Sequence, residues 1–179
     1  LPLHDALPIL CRLFAFTEAP DAEFGPAFWR ERLNRAHAYR QAAAMPNDTN
    51  MYRLVNAEGD GMPGVVIDAY ADVAVLQLRT AGADGLEELL TGALVEMGFP
   101  HVYRKDEPEY PGRHGWVAGQ KTVVEAKEYG LKFLIHPEEG QKTGFYLDQR
   151  EHRRYLETLS AGRTVLNAFS YTGGFSAYA

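Results

Sequence analysis

Close to the end of the sequence, Thr164-Val165-Leu166-Asn167-Ala168-Phe169 runs into Ser170-Tyr171-Thr172-Gly173-Gly174-Phe175. A short apolar stretch followed by paired glycines has few structural uses. It reads as a strand, a tight turn and the first turn of a helix that continues to Ala179. Glycine permits a left-handed backbone and close approach of a ligand, and the first N–H groups of a helix have no partner within it. A nucleotide-type cofactor site opens in this way in an α/β domain. The dinucleotide fingerprint G-x-G-x-x-G is not met, because no glycine precedes Thr172-Gly173-Gly174 at the required spacing. Oxidoreductases, nucleotide-sugar enzymes and methyltransferases all fit the turn. So do glycines that serve only a close strand–helix junction.

The segments before this turn alternate between the two periodicities. Pro26 is suited to the first turn of a helix running to about Ala44, with Phe28, Trp29, Leu33, Ala36 and Tyr39 or Arg40 near one face. Three strands are expected at Tyr52–Ala57, Gly64–Ala69 and Val73–Leu78, separated by Glu58-Gly59-Asp60-Gly61 and Tyr70-Ala71-Asp72. Those glycines and aspartates do not match a calcium loop, and a plain hairpin accounts for them. Leu86, Leu89, Leu90, Ala93, Leu94 and Met97 repeat at helical spacing up to Gly98. His101–Arg104 reads as a strand, and residues 105–120 as a polar surface loop whose acids Asp106, Glu107 and Glu109 are solvated. Val123–Lys127 and Leu131–Ile135 form a hairpin around Glu128-Tyr129-Gly130. From Leu147 or Asp148 a helix is expected to about Leu159, closed by Gly162. Arg150, Arg153, Arg154 and Glu157 would lie on its solvated side, and Tyr155, Leu156 and Leu159 on its apolar side.

Charge and cysteine content exclude several classes. The net charge of −6 over 179 residues argues against generic nucleic-acid binding. Residues 141–179 nevertheless carry Lys142, Arg150, Arg153, Arg154 and Arg163 against Asp148, Glu151 and Glu157, a local +2 that leaves −8 elsewhere. The single cysteine, Cys11, excludes a disulfide framework and a cysteine-rich zinc site. It sits in a short apolar stretch, Leu10–Phe16, and reads as a small hydrophobe rather than a catalytic thiol. His101, His114, His136 and His152 have no metal-ligand spacing, so no metal is expected. No run is long enough for a membrane span, and a reducing cytoplasm is the default. Residues 1–9 have no signal-peptide character and read as a foreign scar.

The element preceding the glycine turn narrows the choice. Gly140-Gln141-Lys142-Thr143-Gly144-Phe145-Tyr146-Leu147-Asp148-Gln149-Arg150, followed by Asn167-x-Phe169-Ser170-Tyr171-Thr172-Gly173-Gly174-Phe175, closely resembles the RlmI-type group of class I S-adenosylmethionine-dependent methyltransferases. More loosely, the likeness extends back through the Asn56-x-x-Gly59-Asp60-Gly61-x-Pro63-Gly64 segment to the helix at Phe28. Members of that group form 5-methylcytosine in 23S ribosomal RNA.

The resemblance implies an N-terminal PUA RNA-binding domain, a central α+β domain and a Rossmann-like catalytic domain. Residues 10–24 would be a remnant of the first, 25–46 a linker helix and 47–137 the central domain. Residues 138–179 would open the third with its first β-turn-α, leaving it truncated. The cofactor implied is S-adenosylmethionine. Phe169, Ser170, Tyr171, Thr172, Gly173 and Gly174 would form the loop against its methionine and ribose parts, and Asn167 would accept from its ammonium. Lys142, Thr143, Phe145, Asp148 and Arg150 would form the preceding motif. Arg150 or Lys142 suits the carboxylate, while Asp148 and Arg150 serve equally well as cap and brace of a helix.

The group's chemistry adds a cysteine thiolate to C6 of cytosine, so that C5 becomes nucleophilic. That cysteine and its Asp/Asn-Pro-Pro loop are expected beyond Ala179, leaving this chain inactive alone. The implied partner is 23S ribosomal RNA, with no membrane, and a homodimer is carried as a candidate assembly. A guanine-N7 methyltransferase relative and a non-catalytic RNA- or protein-binding module are the alternatives.

Overall fold

The computed structural model describes residues 24–43, 45, 46, 48–107 and 113–179. Leu10–Phe16, Cys11, Glu109 and the first nine residues lie outside them. Helix α1 (Pro26–Ala42) starts at a proline, as expected, and buries Trp29, Leu33 and Ala36. Strands β1 (Met51–Asn56), β2 (Val65–Tyr70) and β3 (Val73–Leu78) follow as antiparallel neighbours. A short helix α2 (Ala81–Asp84) and then α3 (Glu87–Glu96) lead to β4 (His101–Lys105), which pairs parallel to β3. The split before α3 arises because Thr80 Oγ1 accepts from Ala83 N at 3.1 Å and caps a separate turn.

One expected loop contains a strand. Residues 114–118 form β5 (His114–Ala118), which pairs antiparallel with β4 and completes a five-stranded sheet in the order β1-β2-β3-β4-β5. Its Gly- and Pro-rich surroundings hide it, and pairing with the edge of β4 is what makes it a strand. One acid of that stretch also differs from expectation. Asp106 is buried, and its carboxylate accepts from Leu78 N, Arg113 N and Arg104. It therefore closes the strand ends instead of facing water.

Both faces of the sheet are covered, which is why β2 and β3 are buried at every position. Val65, Ile67 and Ala69, with Ala74, Leu76 and Leu78, point to the α1/α3 side and join Trp29, Leu33, Leu90 and Leu94. Tyr70, Val73 and Val75 point to the other side. There they meet the hairpin of β6 (Val124–Glu128) and β7 (Leu131–Ile135), with Phe145 and Tyr178. The strict alternation of β2 and β3 places the helices on one face and the glycine-rich motif on the other.

Helix α4 (Arg150–Ser160) follows a 3₁₀ turn at Leu147–Gln149, and α5 (Gly174–Tyr178) ends the chain. The faces of α4 differ from expectation in part: Arg154 and Glu157 are exposed as expected, but Arg153 is buried, and Tyr155 and Leu159 are exposed. The buried partner of Arg153 is Glu128, a carboxylate on a distant strand that the helical period alone cannot reveal. Residues 164–169 were expected as a strand. They make no strand pairing and are mostly exposed, because an extended segment needs a ladder partner and the described residues supply none. The glycine turn and the helix after it form as expected. Among the described residues no helix is long and apolar enough to cross a membrane.

Candidate functional site

The motif segment is held to the sheet by its own threonine and glycines. Thr143 is buried, and its hydroxyl donates to Asp68 Oδ2 at 2.6 Å and lies 2.8 Å from the Tyr70 hydroxyl. Asp68 is in turn paired with Arg53 through bonds of 2.9 and 3.1 Å. Burial, and then the Asp68 charge, push the Tyr70 phenol well above its usual range, so it stays protonated. Gly140 and Gly144 pack backbone against backbone. A Cβ on Gly140 would lie 2.8 Å from both Gly144 Cα and His136 O. Gly144 has φ 132°, and a Cβ there would sit 2.7 Å from Ile135 Cγ2. Lys105 Nζ fixes the start of the segment by donating to the carbonyls of Pro137 at 2.7 Å and of Gly140. Burial lowers the Lys105 pKa.

Helix α4 is anchored by a buried charge pair. Arg153 Nε and Nη2 donate to the two Glu128 carboxylate oxygens at 2.7 Å each, and Nη1 donates to Tyr146 O at 2.9 Å. The guanidinium also lies 4.6 Å from the Phe145 ring centroid and 6.0 Å from that of Phe175. From α5, the Tyr178 hydroxyl donates to Glu128. Burial and the neighbouring Glu128 charge raise the Tyr178 pKa. One carboxylate on β6 thus ties together α4, α5 and the backbone of the motif segment.

These anchors leave a cavity of about 560 Å³ between the motif segment and the glycine turn. Gln141, Phe145, Tyr146 and Gln149 line one wall, and Phe169, Ser170, Tyr171, Thr172, Gly174 and Phe175 the other, with Arg153 at the back. The walls are tied where Tyr171 Oη accepts from Gln141 N at 2.7 Å and its ring meets Tyr146 edge-on at 5.6 Å. Gly173 has φ 74° and opens α5; a Cβ on Gly174 would lie 3.2 Å from Phe145 Cζ. Phe169 is fully exposed at the rim.

The volume falls in the range typical of small-molecule sites, about 300–1,000 Å³. Aromatic faces with a few amide and hydroxyl groups suit a ligand that is part flat ring and part polar chain. That mixture fits the adenosyl and methionyl halves of the implied cofactor. None of the described residues form a cluster of His, Cys, Asp or Glu able to hold a metal ion.

The expected site residues therefore divide. Phe145, Phe169, Ser170, Tyr171, Thr172 and Gly174 share the cavity. Gly173 shapes its turn from just outside the lining, and Thr143 points inward as an anchor. Asn167 is turned away, donating to Ser176 Oγ at 2.8 Å. Lys142, Asp148 and Arg150 line a different cleft on the other side of the motif. There Lys142 pairs with Asp148 at 3.3 Å and lies 4.5 Å over the Tyr146 ring. Partial burial raises the Asp148 carboxyl, but the Lys142 hydrogen bond and charge outweigh it and hold the pKa below the usual range. Gln141, Tyr146, Gln149, Arg153 and Phe175 were not expected as site residues. All but Phe175 fall in or just after the motif, and helical spacing from Gln149 to Arg153 was the available signal.

Comparison with known proteins gives a consistent result. The family model described as S-adenosylmethionine-dependent methyltransferase matches residues 87–179. A ribosomal RNA large subunit methyltransferase I from Shewanella amazonensis is 39% identical, over 98% of this chain and 46% of that protein. A ribosomal RNA large subunit methyltransferase from Deinococcus radiodurans is 40% identical, over 86% and 41%. The chain spans less than half the length of these relatives. Among solved structures, a proposed SAM-dependent methyltransferase from Streptococcus mutans superposes with a TM-score of 0.72 at 28% identity, covering 88% of this chain and 42% of that one. A proposed methyltransferase complexed with SAH gives 0.74 at 28% identity, with the same coverage. Both likenesses agree with a mixed sheet leading into a Rossmann-like domain.

Proposed function

The chain belongs to the S-adenosylmethionine-dependent methyltransferase family, and from that premise we propose that it is the cofactor-proximal part of a ribosomal RNA methyltransferase. In this reading residues 25–46 are a linker helix, 47–137 a central α+β domain, and 138–179 the opening of the catalytic domain. On the same reading residues 10–24 would be a remnant of an N-terminal PUA domain.

The observation that carries the proposal is the convergence of residues 141–149 and 169–175 on one cavity. S-adenosylmethionine supplies, when bound, a methyl group made electrophilic by its sulfonium sulfur. Phe169, Tyr171 and Phe175 would offer the apolar faces for it, and Gln141, Gln149 and Ser170 the hydrogen-bonding groups. Arg153 is committed to Glu128 and to the Tyr146 carbonyl, so its task is to hold the wall.

The product we propose is 5-methylcytosine in 23S ribosomal RNA. The names of the relatives, at about 40% identity, favour the large-subunit substrate. Cytosine-5 chemistry needs a thiolate, and none lies among the described residues. The test uses the open reading frame that contains this sequence, with methyl-labelled S-adenosylmethionine and unmodified 23S ribosomal RNA. Nuclease digestion should release labelled 5-methylcytidine. Labelled 7-methylguanosine would establish the guanine-N7 alternative. Binding of cofactor and RNA with no transfer would favour a binding module.

A further inference from the structure

A second concave surface runs beside the cofactor cavity and remains without a role. One part, of about 800 Å³, is lined by Arg32, Arg35, Tyr39 and Arg40 of α1 against the turn at Asn56–Gly61. The next, of about 480 Å³, shares Tyr39, Arg40 and Asn56 with it and ends on Lys142, Asp148 and Arg150. The two parts thus form one continuous groove. Its far end is the outer side of the motif segment whose inner side walls the cofactor cavity, and Phe145 lines both.

The groove is basic in a chain of net charge −6. Each acid that lines it is already paired: Asp60 with Arg40, Asp68 with Arg53, and Asp148 with Lys142. Arg32 is held by a carbonyl, donating to Gly61 O at 2.5 Å, and by the Phe28 ring at 4.8 Å, so its charge is positioned but not neutralised. Arg35 is exposed and has no hydrogen-bond or ion-pair partner among the described residues. Between these charges Tyr39 leaves 67% of its surface exposed, backed by the Arg40 guanidinium at 5.5 Å. Arginines spaced along a groove with an open aromatic face form the pattern that grips a single strand, with cations for the phosphates and a ring for an unstacked base.

We propose that this groove is the track along which a single-stranded RNA segment approaches the cofactor cavity, with Arg32 and Arg35 on its phosphates and Tyr39 stacking a base. The proposal rests on the reading of the chain as part of an RNA methyltransferase. It adds where on this chain the RNA lies and that the strand is unpaired.

The test measures binding of a fluorescein-labelled single-stranded RNA 12-mer to the 179-residue chain by anisotropy, across a salt series. Arg35→Ala should lower the slope of log K against log salt by about 0.7, one single-strand phosphate contact. Tyr39→Ala should weaken binding at least about fivefold with the slope unchanged. Arg30→Ala is the matched control: Arg30 lies on the same helix but pairs with Glu96 outside the groove, and should leave both readings as they were. Both groove side chains are exposed, and circular dichroism should show all variants folded.

Equal losses in the Arg30 and Arg35 variants, or none in the Arg35 and Tyr39 variants, would overturn the groove while leaving RNA binding in place. A duplex of the same length binding as tightly, with Tyr39→Ala silent, would overturn the single-strand assignment. Equal competition by polyglutamate would point to an acidic protein instead. Absence of any RNA binding would also overturn it. The cofactor reading is measured separately, by S-adenosylhomocysteine binding to the same variants, which should be unchanged.

Discussion

Replacing Arg153 by methionine tests the anchor of the candidate site most severely. The side chains of Arg153 and Glu128 are 1% and 0% exposed, and the pair is closed by two bonds of 2.7 Å. Methionine preserves most of the stem volume, but removes the guanidinium from over the Phe145 ring and leaves the Glu128 carboxylate buried with only the Tyr178 hydroxyl as a side-chain partner. Removing one member of a buried, hydrogen-bonded ion pair costs about 3–5 kcal/mol. In a chain of this size each kcal/mol moves the midpoint by about 2–4 °C, so Tm should fall by about 6–20 °C. Urea unfolding followed by circular dichroism reads the same loss at 25 °C. Glu128→Leu combined with Arg153→Met leaves neither charge stranded and should be more stable than Arg153→Met alone. A loss below about 1 kcal/mol for the single variant, or a double variant that falls by the sum of both singles, would refute the claim that this pair anchors the site.

Other expectations follow from single contacts. Gly144→Ala places a Cβ 2.7 Å from Ile135 Cγ2 at φ 132°, and should destabilise the fold by about 1–3 kcal/mol in urea titration. Gly174→Val pushes on Phe145 and Arg153, and should weaken S-adenosylhomocysteine binding by about 5- to 150-fold in calorimetry, through roughly 1–3 kcal/mol of crowding. For Asp60, partial burial raises the pKa, but hydrogen bonds from Arg40 and Asn56 N outweigh it, so the folded carboxyl titrates below its usual range. Its contribution is therefore present above the unfolded value of about 3.9 and is lost as pH falls through the lower folded one. The stability gap between the natural chain and Asp60→Asn should accordingly shrink between about pH 5 and pH 2 in acid titrations.

Elements with a local cause were legible in the sequence. Pro26 marks the start of α1, Gly98 the end of the α3 region and Tyr129-Gly130 the turn between β6 and β7, because each acts within a few residues. Features caused by distant partners were not. β5 exists because β4 offers an edge, Asp106 is buried because Leu78 N and Arg104 converge on it, and Arg153 turns inward toward a carboxylate 25 residues away. The candidate site follows the same rule. The glycine turn and Phe145 share one cavity, although the ties that bring them together, Arg153 and Tyr178 on Glu128 and Tyr171 on Gln141, are long-range. Lys142, Asp148 and Arg150 follow the outer face of a segment whose orientation is set by Thr143 binding Asp68, a contact between residues 75 apart.

The central claim, that residues 141–149 and 169–175 form one S-adenosylmethionine site, is tested most directly by hydrogen exchange of the chain with and without saturating S-adenosylhomocysteine. The account expects both segments to gain protection together while β1–β3 stay unchanged. Protection of one segment without the other, or none at millimolar ligand, would contradict it.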